Sequence, residues 1–474
     1  MTPAGEELRA RLREILGAEG VLTTAADCAP YLTDHRQLYH GAALAVARPR
    51  TVAQVSQVLA CCNAARVGVV PHGGNTGYCG GATPDESGRQ LVLSLQRLNR
   101  IRSLDAANYS LVADAGCILG QLQQAAEDAE RYLPLTLGSQ GSCQIGGNLS
   151  TNAGGTSVLR YGMARDLVLG LEVVLPDGRV LDALSALRKD NTGYDIKSLF
   201  LGAEGTLGVI TAATLKLFPK VRDVATAFAA VADVPAALAL LARLREASSD
   251  RVSSFELIPR IAVELTTRHI AHVTDPLDRA HDWYVLCEVA SSHAADVMEE
   301  LLGNALGAAL ADGLVLDAAV ARNERERAAL WRLRESIPEA QRKDGASLKH
   351  DIAVPVAALP DFLVRASSWV SANALQGRLV AYGHLGDGNL HFNLNAAPGA
   401  DARRFLADAP RVGRAIHDLV REFGGSFSAE HGIGRLKVEE LERYADAVEL
   451  DLMRAVKSAF DPHGIMNPGK VLRA

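Results

Sequence analysis

A chain of 474 residues with 48% hydrophobic and 22% charged residues is too long for a single core and ordinary in composition, so two or more globular domains are expected. A formal charge of −6 and the lack of any long basic run argue against a nucleic-acid binder. The seven cysteines (28, 61, 62, 79, 117, 143 and 287) are scattered, odd in number and without a C-x-x-C, which argues against a disulfide framework or a cysteine zinc site and suits a reducing compartment.

Residues 1–30 read as helical. The opening "MTPAGEELRARLREILGAEG" mixes glutamates with arginines, unlike a signal or transit peptide, so it is expected to be a first helix. No run of eighteen apolar residues occurs, so no transmembrane helix is expected. Together these point to a soluble, intracellular, cytoplasmic protein. Thr51 and Gln54 make a capping box after Pro49, opening a helix with Val52, Val55, Val58 and Leu59 apolar. "VGVVP" is a short buried strand running into glycines. "LVLSL" (91–95), "SLVADAG" (110–116) and a helix near 118–130 follow. "LVLGLEVVLPDGRVLDA" (167–183) reads as two strands around a Pro-Asp-Gly turn, and "LGVITAATLKLFP" (207–219) as another strand. Residues 40–220 thus form one α+β domain.

Beyond 220 come helix "AALALLARLREA", strands "SSFELIP" and "WYVLCEVA", a helix near 294–312, and the charged "ARNERERAALWRLRESIPEAQRKDG". "SLKHDIAVP", a further helix and "AYGHLGDGNLHFNLN" (381–395) complete a second α+β domain, with antiparallel strands expected to carry helices on one face. No repeat or low-complexity linker separates the domains.

Asp387-Gly388 predicts a type I′ hairpin that sets His384 opposite His391, with Asn393 on the same face. Two imidazoles so placed suit a shared metal ion; a surface hairpin with solvated histidines is the alternative. "PHGGNTGYCGGATP" (71–84) and "LGSQGSCQIGGNLSTNAGG" (137–155) are two long glycine-rich loops with interleaved hydroxyls and amides. Such loops form backbone nests for anions. Neither is a P-loop or a Rossmann fingerprint. A diphosphate held by two nests is the reading left.

"PHGGNTG", "GGNLSTNAGG", "YG" (161–162), "FLGAEGTLGVIT" (200–211) and "FDPHGIMNPGK" (460–470) resemble the FAD-binding oxidoreductases of the vanillyl-alcohol-oxidase type, from about residue 40 to the C-terminus. "YGHLGDGNLHFN" and "AEHGIG" (429–434) resemble, within that superfamily, the D-2-hydroxyacid dehydrogenases, most closely those acting on D-2-hydroxyglutarate.

The resemblance implies an α+β fold: a two-lobed FAD-binding domain, an α+β substrate (cap) domain, and a C-terminal helical segment returning to the flavin domain. The segments would be 1–39, 40–219, 220–425 and 426–474. It implies non-covalent FAD held by Pro71, His72, Gly73, Gly74, Asn75, Thr76, Gly77, Gly80 and Gly81. The second loop would add Gly138, Ser139, Gly141, Gly146, Gly147, Asn148, Thr151, Asn152, Gly154 and Gly155. Tyr161, Gly162, Glu204, Gly205, Gly208, Val209, Ile210, Asn467 and Lys470 would complete the flavin site. His72 has a simpler alternative as a loop donor.

It further implies a divalent metal, most plausibly zinc, on His384, His391 and Glu430, a composition with open positions. His431 would be the general base, or else a hydrogen-bonding partner of the site. Asn393 would donate to the substrate's α-carboxylate, while Arg334 and Lys349 would bind its distal carboxylate. A solvated helix face is the bland reading of Arg334 and Lys349. Pro338 replaces a threonine of the family pattern, which bears on substrate length.

The implied reaction oxidises a D-2-hydroxyacid, D-2-hydroxyglutarate or D-malate, by hydride transfer to flavin. Electrons would leave to a separate acceptor such as an electron-transfer flavoprotein or a quinone. A D-lactate or glycolate dehydrogenase is the runner-up, and a non-catalytic FAD-binding subunit of a glycolate-oxidising complex the rival from another class. The partner is a small 2-hydroxyacid, and the assembly considered is a homodimer.

Overall fold

A computed structural model describes residues 3–294, 297–374 and 376–473; the ends of two expected helices, at residues 1–2 and 295–296, lie outside the described residues. The chain divides into two units. One comprises Met1–Gly155, Gly162–Lys220 and Glu430–Ala474, and the other Thr156–Tyr161 and Val221–Ala429.

In the first unit, helix Val52–Ala65 begins where the Thr51 side chain accepts the Gln54 N–H. It buries Val55, Val58, Leu59 and Cys62 and ends at Arg66 in the left-handed conformation. Strand Val69–His72 follows, pairs in parallel with Leu91–Ser94, and runs straight into the first glycine loop. Ala45–Ala47 lies in parallel on the other side of Leu91–Ser94. A second sheet of five strands is antiparallel throughout. Its strands Val168–Val174 and Val180–Ala183 are joined through Gly178 at φ 91, the Pro-Asp-Gly turn read from the sequence. From the C-terminal segment, Met466 bridges in parallel to Val69.

The second unit is built on an eight-stranded antiparallel sheet. Its order runs Val315–Val320, Asp223–Val231, Trp283–Ser291, Val252–Pro259, Gly377–His384, Asn389–Ala396 and Ser347–Leu348, with Asp351–Ala353 also pairing with Asn389–Ala396. The expectation of helices on one face is corrected here. Ala225, Ala227, Ala229 and Val231 enter a core shared with helices Val234–Ala247, Val297–Ala311 and Leu359–Asn373. Phe228 and Ala230 instead enter a core shared with helices Arg260–His269, Glu324–Glu335 and Ile337–Asp344. The period of two that sends alternate side chains to opposite faces therefore finds apolar partners on both. The all-buried run of Ala225–Val231 is the mark of such a strand.

Candidate active site

The first unit holds a cavity open to solvent. Pro71 to Cys79, Gly81, Gln144, Gly146, Gly147, Asn148, Thr151, Glu204, Gly205, Gly208, Val209, Ile210 and His431 line it. A Cβ added at Gly77 or Gly147 would meet no protein atom within 4 Å, so the missing side chains leave room in the cavity. Both ring nitrogens of His72, Oε1 of Gln144 and Oδ1 of Asn148 are buried with no hydrogen-bond partner among the described residues. Such orphaned groups require a ligand or water, and a polar dinucleotide supplies partners of the right kind. Burial pushes the His72 imidazole down to about 4, so it is neutral at physiological pH.

Other residues expected at the cofactor do not line this cavity. Gly80, at φ 67, packs on the Tyr39 ring, and Gly162, at φ 80, packs over Asp166. Gly154 and Gly155 lie against Glu430 and Thr136 respectively. Gly138 precedes, and Gly141 lies within, a turn in which the Ser139 carbonyl accepts the N–H groups of Ser142 and Cys143. Asn152 accepts the Arg165 N–H, and Asn467 donates to the carbonyls of Gly81 and Glu204, tying two cavity loops together. Lys470 is buried and lowered to about 8 by that burial. Tyr161 belongs to the second unit.

The His431 loop is held from several sides. The Glu204 carboxylate accepts the N–H groups of Ile433 at 2.7 Å and Gly434 at 2.8 Å. Burial pushes this carboxyl up, and the two N–H groups oppose the shift. Cys79 Sγ donates to the Gly432 carbonyl at 3.5 Å, and the Tyr78 ring lies 4.6 Å from that of His431. Glu430 accepts the Gly155 N–H at 2.6 Å. Tyr78, Cys79 and Gln144 were not singled out from the sequence; their only signal was their place between glycines in the two loops.

In the second unit the hairpin departs from its predicted register. The strands end at His384 and resume at Asn389, so no two-residue type I′ turn forms. Tyr382, not His384, pairs with His391. Gly383 adopts φ 148, and the buried Leu385 donates its N–H to the Phe255 carbonyl. His384 pairs across the other edge with Glu256 instead. The two imidazoles still lie together, with ring centroids 5.6 Å apart.

Glu256, read from the sequence only as part of a strand, is fully buried. Its Oε1 lies 2.5 Å from His384 Nδ1, and its Oε2 accepts from Arg334 Nε at 2.6 Å. Burial alone would raise this carboxyl, but the Arg334 charge and the hydrogen bonds from His384 and Arg334 hold it at about 2. Asp351 Oδ1 lies 3.9 Å from His391 Nδ1. The His384 imidazole therefore turns Nδ1 onto a buried carboxylate, the arrangement in which Nε2 is the basic, metal-binding nitrogen, while the longer His391–Asp351 contact is no hydrogen bond. These residues fit a divalent ion; Glu430, the third expected ligand, belongs to the first unit.

Arg334 is no solvated helix-face residue. It is 6% exposed and its guanidinium lies 4.8 Å from the centre of the Tyr382 ring. Lys349 Nζ donates to Gln341 Oε1 at 3.4 Å, and Asn393 Nδ2 donates to the same oxygen at 3.0 Å. Asn393 Oδ1 accepts the His350 N–H. Pro338 occupies the first turn of helix Ile337–Asp344, where a missing N–H costs nothing.

Residues 43–184 match the family model "FAD binding domain", and residues 220–471 match "FAD linked oxidases, C-terminal domain". The chain is 37% identical over 468 residues to a protein of Arabidopsis thaliana named D-2-hydroxyglutarate dehydrogenase, mitochondrial, covering 97% of this chain and 80% of the relative. The rat protein of the same name is 39% identical over 443 residues, covering 93% and 80%. A Saccharomyces cerevisiae protein named D-2-hydroxyglutarate–pyruvate transhydrogenase is 33% identical over 482 residues, covering 98% and 94%. Among solved structures, p-cresol methylhydroxylase superposes with TM-score 0.75 at 16% identity, covering 100% of this chain and 98% of that one. Alkyldihydroxyacetonephosphate synthase does so with TM-score 0.74 at 17% identity, covering 99% and 86%.

The expected cytoplasmic location is corrected by the relatives of plant and mammal, which are named as mitochondrial. The first helix packs on the fold through the buried Leu8 and Leu12. Among the described residues no helix is long and apolar enough to cross a membrane. The chain belongs to the FAD-linked oxidases, FAD-binding oxidoreductases with the α+β fold of the vanillyl-alcohol-oxidase superfamily.

Proposed function

We propose that this protein is an FAD- and metal-dependent dehydrogenase that oxidises D-2-hydroxyglutarate, with D-malate as a second dicarboxylic substrate, to the 2-oxoacid. The observation that carries the reading is the buried Arg334, oriented by Glu256 and Tyr382 in the unit that also holds the paired hairpin histidines. A buried guanidinium of fixed orientation reads a carboxylate bidentately. The names of the relatives from Arabidopsis and rat support the same substrate.

His384, His391 and Glu430 would hold the divalent ion, zinc by its donor set, and the glycine loops would hold non-covalent FAD. When bound, FAD supplies the acceptor for the Cα hydride, and the metal ion a Lewis acid for the α-hydroxycarboxylate. His431 takes the proton of the α-hydroxyl as general base. Asn393 turns an amide N–H to the α-carboxylate, and Arg334 and Lys349 clamp the distal carboxylate. Electrons pass to an electron-transfer flavoprotein or a quinone. The yeast relative's name adds a 2-oxoacid as a further acceptor class.

Pro338 favours a second reading. Without a hydroxyl at that position the distal end is less polar, which suits the shorter D-lactate or glycolate. Turnover of purified, zinc-loaded protein with D- and L-2-hydroxyacids and an artificial dye tests both readings. Dicarboxylic D-acids should lead. A preference for D-lactate or glycolate would favour the second reading, and no turnover of any 2-hydroxyacid would overturn both.

A further inference from the structure

We propose that Glu256 is a positioning residue shared by both ends of the substrate site, setting the metal-binding tautomer of His384 and the aim of the Arg334 fork through one buried carboxylate. The inference rests on the function proposed above and adds a residue to it. Glu256 lies in strand Val252–Pro259, directly opposite His384 in register, and reaches Arg334 from helix Glu324–Glu335. It is 0% exposed. Each of its oxygens takes one N–H, from imidazole Nδ1 at 2.5 Å and from guanidinium Nε at 2.6 Å.

Two consequences follow from donor and acceptor chemistry. A carboxylate only accepts, so it keeps the proton of His384 on Nδ1 and makes Nε2 the lone-pair nitrogen. With Arg334 Nε held by Glu256, the plane of the guanidinium is fixed, and with it the direction in which its terminal N–H groups point. The Tyr382 ring beneath the guanidinium restrains the same plane. A glutamine at this position offers one accepting oxygen for two N–H donors, so at most one of the two neighbours keeps its alignment.

The test compares wild type, Glu256→Gln and Glu256→Asp, each purified with FAD and stripped of metal. Zinc affinity is measured by competition with a chromogenic chelator, and kcat/KM on D-2-hydroxyglutarate and on D-lactate. Glu256→Gln should weaken zinc by about 10–100-fold and lower the D-2-hydroxyglutarate to D-lactate preference by about tenfold or more. Glu256→Asp, which keeps the carboxylate, should recover part of both. Zinc affinity and preference within threefold of wild type in Glu256→Gln would overturn the inference alone. A wild-type protein that binds no zinc would overturn the metal reading and the inference with it.

A second measurement needs no folded variant at position 256. In metal-free wild-type protein labelled with nitrogen-15 histidine, His384 should show the Nδ1–H tautomer, its signals assigned by their loss in His384→Gln. The Nε2–H tautomer would overturn the proposal.

Discussion

The carboxylate of Glu204 accepts the backbone N–H of Gly434 at 2.8 Å and thereby holds the loop that carries His431. With the Ile433 N–H at 2.7 Å, the same carboxylate satisfies two donors. Glu204 therefore serves the loop as well as lining the cavity. Glu204→Ala would leave two poorly solvated N–H groups, a loss of about 1–3 kcal/mol for each. The variant should unfold at lower urea concentration and lose kcat more than FAD content. An unchanged midpoint with unchanged kcat would show that the loop is held without it.

Gly147 separates packing from cofactor recognition. A Cβ there meets no protein atom within 4 Å and its φ is not in the left-handed region. Gly147→Leu should therefore fold with near wild-type stability in the apoprotein, yet purify colourless because the new side chain fills the cavity. Full FAD occupancy in that variant would place the cofactor elsewhere.

His72 makes the apoprotein acid-sensitive. Its folded imidazole is pushed down to about 4 from 6.5, so between these values the unfolded chain binds the proton and the folded chain does not. Stability must then fall as pH drops through that window, by about 3 kcal/mol at roughly 1.4 kcal/mol per unit. In His72→Gln the denaturation midpoint should depend much less on pH over the same range. Parallel curves for the two proteins would mean the wild-type imidazole is protonated in the fold.

The glycine loops and the hairpin histidines were legible because their signals are local. Glycines at positions such as 77 and 147 announce a cavity within a few residues of sequence. The hairpin register was misread because Asp387-Gly388 dominates locally, while Gly383 and Leu385 are engaged by Leu257 and Phe255 of a neighbouring strand. Glu256 was illegible for the same reason. "SSFELIP" reads as an ordinary strand, and the partners that give its carboxylate meaning lie 78 and 128 residues away. Helices on both sheet faces escaped notice because the small alanines of Asp223–Val231 carry little signal of which face is buried.

Arg334 offers the sharpest test of substrate length. On the proposed reading its fork, with Lys349, clamps a distal carboxylate that D-2-hydroxyglutarate has and D-lactate lacks. A hydrogen bond to a charged group is worth about 1.5–3 kcal/mol, so losing both bonds of the fork, as in Arg334→Ala, should cost about two orders of magnitude in kcat/KM on the dicarboxylic acid, whereas a lysine keeps one of them. Arg334→Ala also strips Glu256 of one partner, which makes Arg334→Lys the better companion, since it keeps a cation beside that buried carboxylate and removes only the planar fork. Both variants should lose D-2-hydroxyglutarate turnover, Arg334→Lys by about tenfold, the loss of one such bond. Residual D-lactate turnover in Arg334→Lys should stay close to wild type, because the α-carboxylate is assigned to the metal and Asn393. Equal losses on both substrates in Arg334→Lys would assign Arg334 to the α-carboxylate or to the fold, and the distal clamp would have to be sought at other residues.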